Sequence, residues 1–242
     1  MAAFTAFNNR LPDPNWGVNE AGHGHASNYV EGPGFASVKF DSVQRTAINR
    51  TNSGRATTRS IASQGWKISI SYNPMTRAQF EPIYNFLQEK RGRLKPFEVV
   101  MPQYTSPQAT VTAGAGGLKV DGIINAGQNF FTADNHSNST TGSLKPGDMI
   151  NFTDSTNVNH KKVYQITRVL NNSDYLTGGT RPGTDERIYY VTPSIEKSVA
   201  DNSLIVSTNP LFRVIQSSDV VSYSLNTNNL YEFSLSLEEV QV

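Results

Sequence analysis

The chain has 242 residues, 37% of them hydrophobic and only 17% charged, with no cysteine and a formal net charge of +1. That length suits one large or two small domains, and the missing cysteines exclude disulfides, thiolate metal sites and cysteine nucleophiles. The near-neutral balance, with no basic stripe evident along the chain, argues against nucleic acid and against an anionic membrane surface as partners.

Eighteen glycines, 12 prolines and abundant Asn, Ser and Thr imply short strands joined by frequent turns, so a mainly β fold is expected. The opening residues lack a basic start followed by an apolar run, so no secretory leader is expected. No apolar stretch approaches the roughly 18–20 residues of a membrane-spanning helix. Residues 1–36, with Trp16 and much Asn, Gly and Pro, read as an extended arm or irregular loops that a neighbouring chain can order.

Ser37–Asn49 alternates patchily as a strand, and residues 50–56 read as a loop. In Gly65–Tyr72 the alternation is clean: Trp66, Ile68, Ile70 and Tyr72 fall on one face, Lys67, Ser69 and Ser71 on the other. A helix is expected from about residue 76 to 91. Thr76 and Gln79 have capping-box spacing, Met75 and Phe80 staple spacing, and Phe80, Ile83, Tyr84 and Leu87 form an apolar stripe. Lys90 and Arg91 suit the negative end of the helix dipole, and Gly92 suits the left-handed residue that stops it. Pro82 lies in the second turn and predicts a kink or a tightened start. Phe97, Val99 and Met101 then alternate as a strand.

From about residue 105 the character changes to a linker followed by short strand candidates at Leu118–Val120, Asp148–Thr153, Val163–Leu170 and Ile188–Val191. Lys145-Pro-Gly-Asp148 is a strong turn, and residues 132–142 read as a polar loop tip. Long alternation returns in Phe212–Gln216, Val220–Leu225 and Leu230–Val242, the last placing Tyr231, Phe233, Leu235 and Leu237 on one face, in the style of Trp66–Tyr72. The expected layout is a discontinuous β-sandwich or barrel domain with one helix, 1–104 plus 212–242. It is interrupted by a second small β-barrel or sandwich over 105–211.

Asn85-Phe-Leu-Gln-Glu-Lys-Arg-Gly-Arg-Leu-Lys-Pro-Phe97, a helix ending in Arg-Gly with an aromatic shortly after, follows a strand bearing an aromatic. Together with the closing run Leu230–Val240 it resembles the tail-tip proteins of tailed phages. These are the distal tail proteins of siphophages and gene transfer agents, and the minor tail protein M of lambda-like phages. Leu144–Phe152 followed by Lys162–Thr167 is similar to a small β module of phage tail proteins. The resemblance implies a virion protein without enzymatic activity or cofactor. It implies a ring of copies, commonly six, that joins a tail tube protein to a tail hub protein, with the first domain forming the ring and the second decorating it. Trp66, Lys90, Arg91, Arg93 and Phe97 are the candidate subunit-interface residues, the cations pairing with acids of a neighbour. The stripe Phe80–Leu87 reads either as interface or as packing against its own sheet.

No catalytic or metal site stands out. His23 and His25 lie in a Gly-rich loop, and His136 and His160 read as exposed loop residues. No Ser carries Gly-x-Ser-x-Gly flanks, and the adjacent Glu238 and Glu239 point to opposite faces of a strand. Gly114–Gly117 lacks the Lys-Ser/Thr of a phosphate loop. An alternative reading is a carbohydrate-binding module, with Tyr175, Tyr189 and Tyr190 stacking on sugar rings. A cell-wall hydrolase would need a carboxylate pair in a cleft.

Overall fold

A computed structural model of the chain describes residues 9–14, 32–60, 64–137, 142–171 and 183–240. Strands take 43% of the chain and helix 9%, so the protein is mainly β with a single α-helix. In chain order the elements are β1 (Phe35–Val43), β2 (Thr46–Arg50), β3 (Ala56–Ser60), β4 (Gly65–Tyr72), α1 (Arg77–Lys90), β5 (Phe97–Val100), β6 (Lys119–Asp121), β7 (Phe130–Asp134), β8 (Met149–Thr153), β9 (Tyr164–Leu170), β10 (Arg187–Thr192), β11 (Leu204–Val206), β12 (Leu211–Gln216), β13 (Tyr223–Leu225) and β14 (Tyr231–Glu239). They form two compact units. One holds the described residues up to Val43 with Gly65–Val100 and Arg213–Val240; the other holds Gln44–Gln64 with Met101–Phe212.

The first unit is a curled sheet in the order β1-β4-β14-β12-β5, with β13 hairpinned onto the start of β14. The alternation read in β4 and β14 sets its register. Ile70 stands opposite Leu235 and Ile68 opposite Leu237, so both apolar rows share one face. There Trp66, Ile68, Ile70, Phe233, Leu235 and Leu237 are all buried. The opposite face carries small hydroxyls, Ser71 facing Ser234 and Ser69 facing Ser236.

Helix α1 lies on the apolar face. Phe80 meets Phe233 edge-on at 5.6 Å, and Phe86 meets Phe97 edge-on at 5.3 Å. Its start is capped as the sequence indicates: the Thr76 amide donates to Gln79 Oε1 at 3.1 Å, and Met75 and Phe80 are both buried across the cap. The helix runs on through Pro82, and its first turn is tightened by a Gln79 N–H to Thr76 carbonyl bond of 3.1 Å. The left-handed cap is Arg91, at φ 54° and ψ 56°, rather than Gly92. Gly92 follows at φ 64°, and a side chain there would come within 2.8 Å of the Asp219 carboxylate. Close approach as well as conformation therefore demands glycine.

Of the expected N-terminal arm, Asn9–Leu11 runs along β5 as a short parallel addition. The Leu11 amide donates to the Glu98 carbonyl at 2.8 Å, and the Glu98 amide to the Asn9 carbonyl at 2.7 Å. Leu11 is fully buried, and Arg10 and Asp13 form a buried ion pair at 2.8 Å. Residues 1–8 and 15–31, with Trp16, His23 and His25, lie outside the described residues. Residues 220–222, expected within a strand, are not part of one. β13 has only three residues, all exposed; it pairs with β14 on one side, and its Tyr223 ring lies 4.9 Å from that of Phe80.

The second unit contains a closed six-stranded antiparallel barrel in the order β10-β7-β6-β11-β8-β9. Closure removes the sheet edges. The interior is filled by Val120, Phe131, Ala133, Ile150, Phe152, Tyr164, Ile166, Tyr189, Val191 and Ile205, with side chains from the connecting loops. The Lys145-Pro-Gly-Asp148 turn is pinned by its last residue. The Asp148 carboxylate accepts the amides of Lys145 at 2.7 Å and Gln108 at 2.9 Å. Residues 132–142 are not one loop, since Phe130–Asp134 is the strand β7 with Phe131 and Ala133 pointing inward. Residues 46–56, expected as the end of a strand and a loop, belong with 57–60 to the hairpin β2–β3.

Candidate functional site

The two described histidines are interior, not exposed. His136 is 4% and His160 2% accessible. Each sits in the same kind of relay. The Leu144 amide donates to the Tyr189 hydroxyl oxygen at 3.3 Å, and that hydroxyl lies 2.8 Å from His136 Nε2, while His136 Nδ1 donates to the Asp185 carbonyl at 2.9 Å. The Glu196 amide likewise donates to Tyr164, whose hydroxyl is 2.7 Å from His160 Nε2. These chains tie loops to the barrel wall. Among the described residues, no set of three or more His, Asp or Glu converges as metal ligands.

Burial pushes the His136 pKa down from 6.5 to about 4, and lowers that of His160 for the same main reason. Below pH 6.5 the unfolded chain takes up protons that the folded chain refuses, so stability is complete above that value and falls as pH drops toward about 4. The expected result is a Tm that falls across this window. The His136→Gln/His160→Gln protein should show a flatter dependence there, read by calorimetry against pH.

The residues expected at a subunit interface do not form one surface. Trp66 is buried and stacks on Phe40 at 4.8 Å, and Phe97 is buried against Phe86. Both face inward because alternation places them on the core side of β4 and β5, so neither offers area to a neighbour. Lys90 is buried too, its ammonium 4.7 Å from the centre of the Phe86 ring and 3.6 Å from Glu89 Oε1. Arg91 and Arg93 are exposed. Arg93 is engaged within its own chain, its guanidinium donating to the Ser217 carbonyl and its amide to Asp219 Oδ1 at 3.1 Å. The helical stripe resolves as packing against its own sheet.

Other surfaces stand open instead. Among the described residues, β1 is a nine-residue border strand paired with β4 alone. Tyr223, Leu225 and Val220 are 46%, 53% and 74% exposed beside β14. A shallow cleft of about 460 Å³ runs there, lined by Tyr72, Pro74, Tyr223, Glu232, Phe233 and Ser234 among others. Tyr223 also joins an aromatic group with Phe80, Tyr84 and Tyr231, Phe80 stacked on Tyr231 at 4.6 Å and Tyr223 5.6 Å from Tyr84. The hairpin β2–β3 is exposed along its length, with Ile48 64% accessible. The sequence marked only its first strand, as the end of Ser37–Asn49, and gave no signal for β3, which has no apolar face to alternate.

Of the tyrosines considered for sugar stacking, Tyr175 lies outside the described residues and Tyr189 is fully buried. Tyr190 is half-buried on the outer barrel wall, with the Arg168 guanidinium 3.7 Å over its ring and the exposed Phe130 5.7 Å away. No helix among the described residues is long and apolar enough to cross a membrane. Comparison with known proteins finds no family model that matches the chain and no curated protein that matches it.

Proposed function

We propose that this chain is a non-enzymatic structural subunit of a phage tail tip or baseplate, closing a ring with copies of itself between tail tube and hub. The observation that carries the reading is uncovered β structure: a nine-residue border strand and an exposed hairpin on one chain. Unpaired borders and ribbons of this kind invite pairing or cover by another chain. Cyclic assembly of identical copies is the ordinary way to satisfy them without open-ended growth. The resemblance of Asn85–Phe97 and Leu230–Val240 to phage tail-tip proteins supplies the ring, its usual sixfold count and its place in the virion.

The test is the mass of the full chain in solution across a concentration series, with images of the particles formed. Ring-shaped oligomers, alone or with tail tube and hub proteins, are expected. A monomer that persists at high concentration with both partners present defeats the reading.

A second reading has its own observation. The Tyr190, Phe130 and Arg168 stack on the barrel wall is the right construction for a sugar ring. It predicts glycan binding by the full chain that Tyr190→Ala abolishes, whereas ring assembly is unchanged by that substitution.

A further inference from the structure

All five residues of β2 are exposed, and so are Ala56, Thr57, Thr58 and Arg59 of β3. A two-stranded ribbon that buries nothing is marginal in water. Its ladder of five paired residues nevertheless runs in register, from Thr46 opposite Ser60 to Arg50 opposite Ala56. A turn closes the tip, the Thr51 amide donating to the Arg55 carbonyl at 3.0 Å and the Gly54 amide to the Thr51 carbonyl at 2.9 Å.

The charge on this ribbon is one-sided. Residues 44–60 contain Arg45, Arg50, Arg55 and Arg59, and no acid occurs anywhere between Asp41 and Glu81. Arg50 and Arg55 bracket the tip, and Arg59 sits near the base, opposite Ala47. Among the described residues, Arg50, Arg55 and Arg59 make no ion pair. The chain as a whole carries only +1, so everything outside the ribbon is net acidic. A near-zero total conceals this separation.

Part of that acidity gathers on the barrel wall where β7 lies between β6 and β10. Asp121 ends β6, two positions along from the Lys119–Asp134 pair, Asp185 and Glu186 precede β10 beside Asp134, and Asp201 precedes β11 and accepts the Gly122 amide beside Asp121 at 2.9 Å. Asp121, Asp185 and Asp201 are exposed. Lys119 stands across from Asp134 in the ladder. The carboxyls of Asp121 and Asp134 are held above the ordinary range, first by burial and then by repulsion from their acidic neighbours. Opposed cations would relieve that repulsion.

We propose that the β2–β3 hairpin docks on the acidic barrel wall of a second copy of this chain, with Arg50, Arg55 and Arg59 meeting Asp121, Asp185 and their neighbours. The two surfaces differ, so each copy gives a hairpin and receives one, and a contact of that kind closes into a ring when the turn from copy to copy divides the circle evenly. Guanidinium–carboxylate pairing supplies the specificity. The proposal rests on the ring reading and names one of its joints. An arginine-rich ribbon also suits a polyanion such as duplex DNA, but the complementary acids carried on the same chain favour a second copy.

The experiment is sedimentation of the full chain over a concentration series at low and high salt. The wild type is expected to associate, less so as salt rises. Arg50→Glu/Arg55→Glu/Arg59→Glu should weaken association more than about tenfold while leaving Tm unchanged, since all three side chains are exposed. Asp121→Lys/Asp185→Lys should do the same. Neither reversed protein self-associates, but a mixture of the two regains association.

Association unaffected by either reversal overturns the hairpin joint and leaves the ring standing. Failure of the wild type to associate under any condition overturns both. A charge-swapped mixture that stays apart, with a labelled DNA duplex retained by the wild type and released by the arginine-reversed variant, assigns the ribbon to nucleic acid and overturns the proposal.

Discussion

Phe86→Ala is expected to destabilise the protein by about 3–5 kcal/mol, read as a lower urea midpoint by tryptophan fluorescence. Phe86 is fully buried on the inner side of α1, edge-on to the Phe97 ring at 5.3 Å, with the Lys90 ammonium 4.7 Å from its centre. Truncation removes the ring that joins helix to sheet and opens a cavity that rigid strands cannot fill. It also strips the buried Lys90 charge of its aromatic partner. Such a loss is a large part of the roughly 5–15 kcal/mol by which a domain is ordinarily stable. Leu94→Ser, at a residue 68% exposed, is the control and should move the midpoint by no more than about 0.5 kcal/mol. If the two variants unfold alike, Phe86 is not the link between helix and sheet.

Arg187→Ala is expected to cost a comparable amount, about 2–4 kcal/mol, but by a different mechanism. The side chain is completely buried, and its guanidinium donates to Ser143 Oγ at 3.0 Å and to the carbonyls of Glu186 at 2.6 Å and Thr184 at 3.3 Å. Those acceptors belong to loops that close one end of the barrel. Without the guanidinium they are left in a dry site without donors, which is costlier than never having buried them. Arg187→Lys keeps the charge but not the planar fork and should recover only part of the loss. Thermal unfolding of the three proteins side by side gives the order. A lysine variant as stable as the wild type would show that charge alone matters at this position.

Where an element had a face to bury, alternation found it. β4 and β14 were legible because apolar residues at every second position line a core, and α1 because a cap, a staple and a stripe agree over 14 residues. What was hidden lacked that signature. β3, Ala-Thr-Thr-Arg-Ser, buries nothing that a pattern could reveal, and β11 is three residues long. β7 buries only Phe131 and Ala133 before its chain turns polar, so it read as the approach to a loop.

His136 and His160 looked exposed because their sequence neighbours are polar. What encloses each is a tyrosine distant or offset in sequence, Tyr189 and Tyr164, and no local window shows that. Trp66 and Phe97 were read as interface candidates for a related reason, and both are buried within the chain. Alternation tells that Trp66 and Phe97 share a face with other apolar residues, but an inward face and a docking face look the same in sequence.

The strand addition at β5 fixes how copies of this chain can meet. The β5 margin of the curled sheet is covered over part of its length by Asn9–Leu11, so among the described residues its longest row of free main-chain groups is the β1 margin. Backbone-to-backbone extension from molecule to molecule would need two free margins, one to give and one to receive. This sheet is therefore poorly suited to zipping end over end into an endless ribbon. Joints made by side chains would make the size of a particle a property of surface chemistry and leave it open to control by salt and pH.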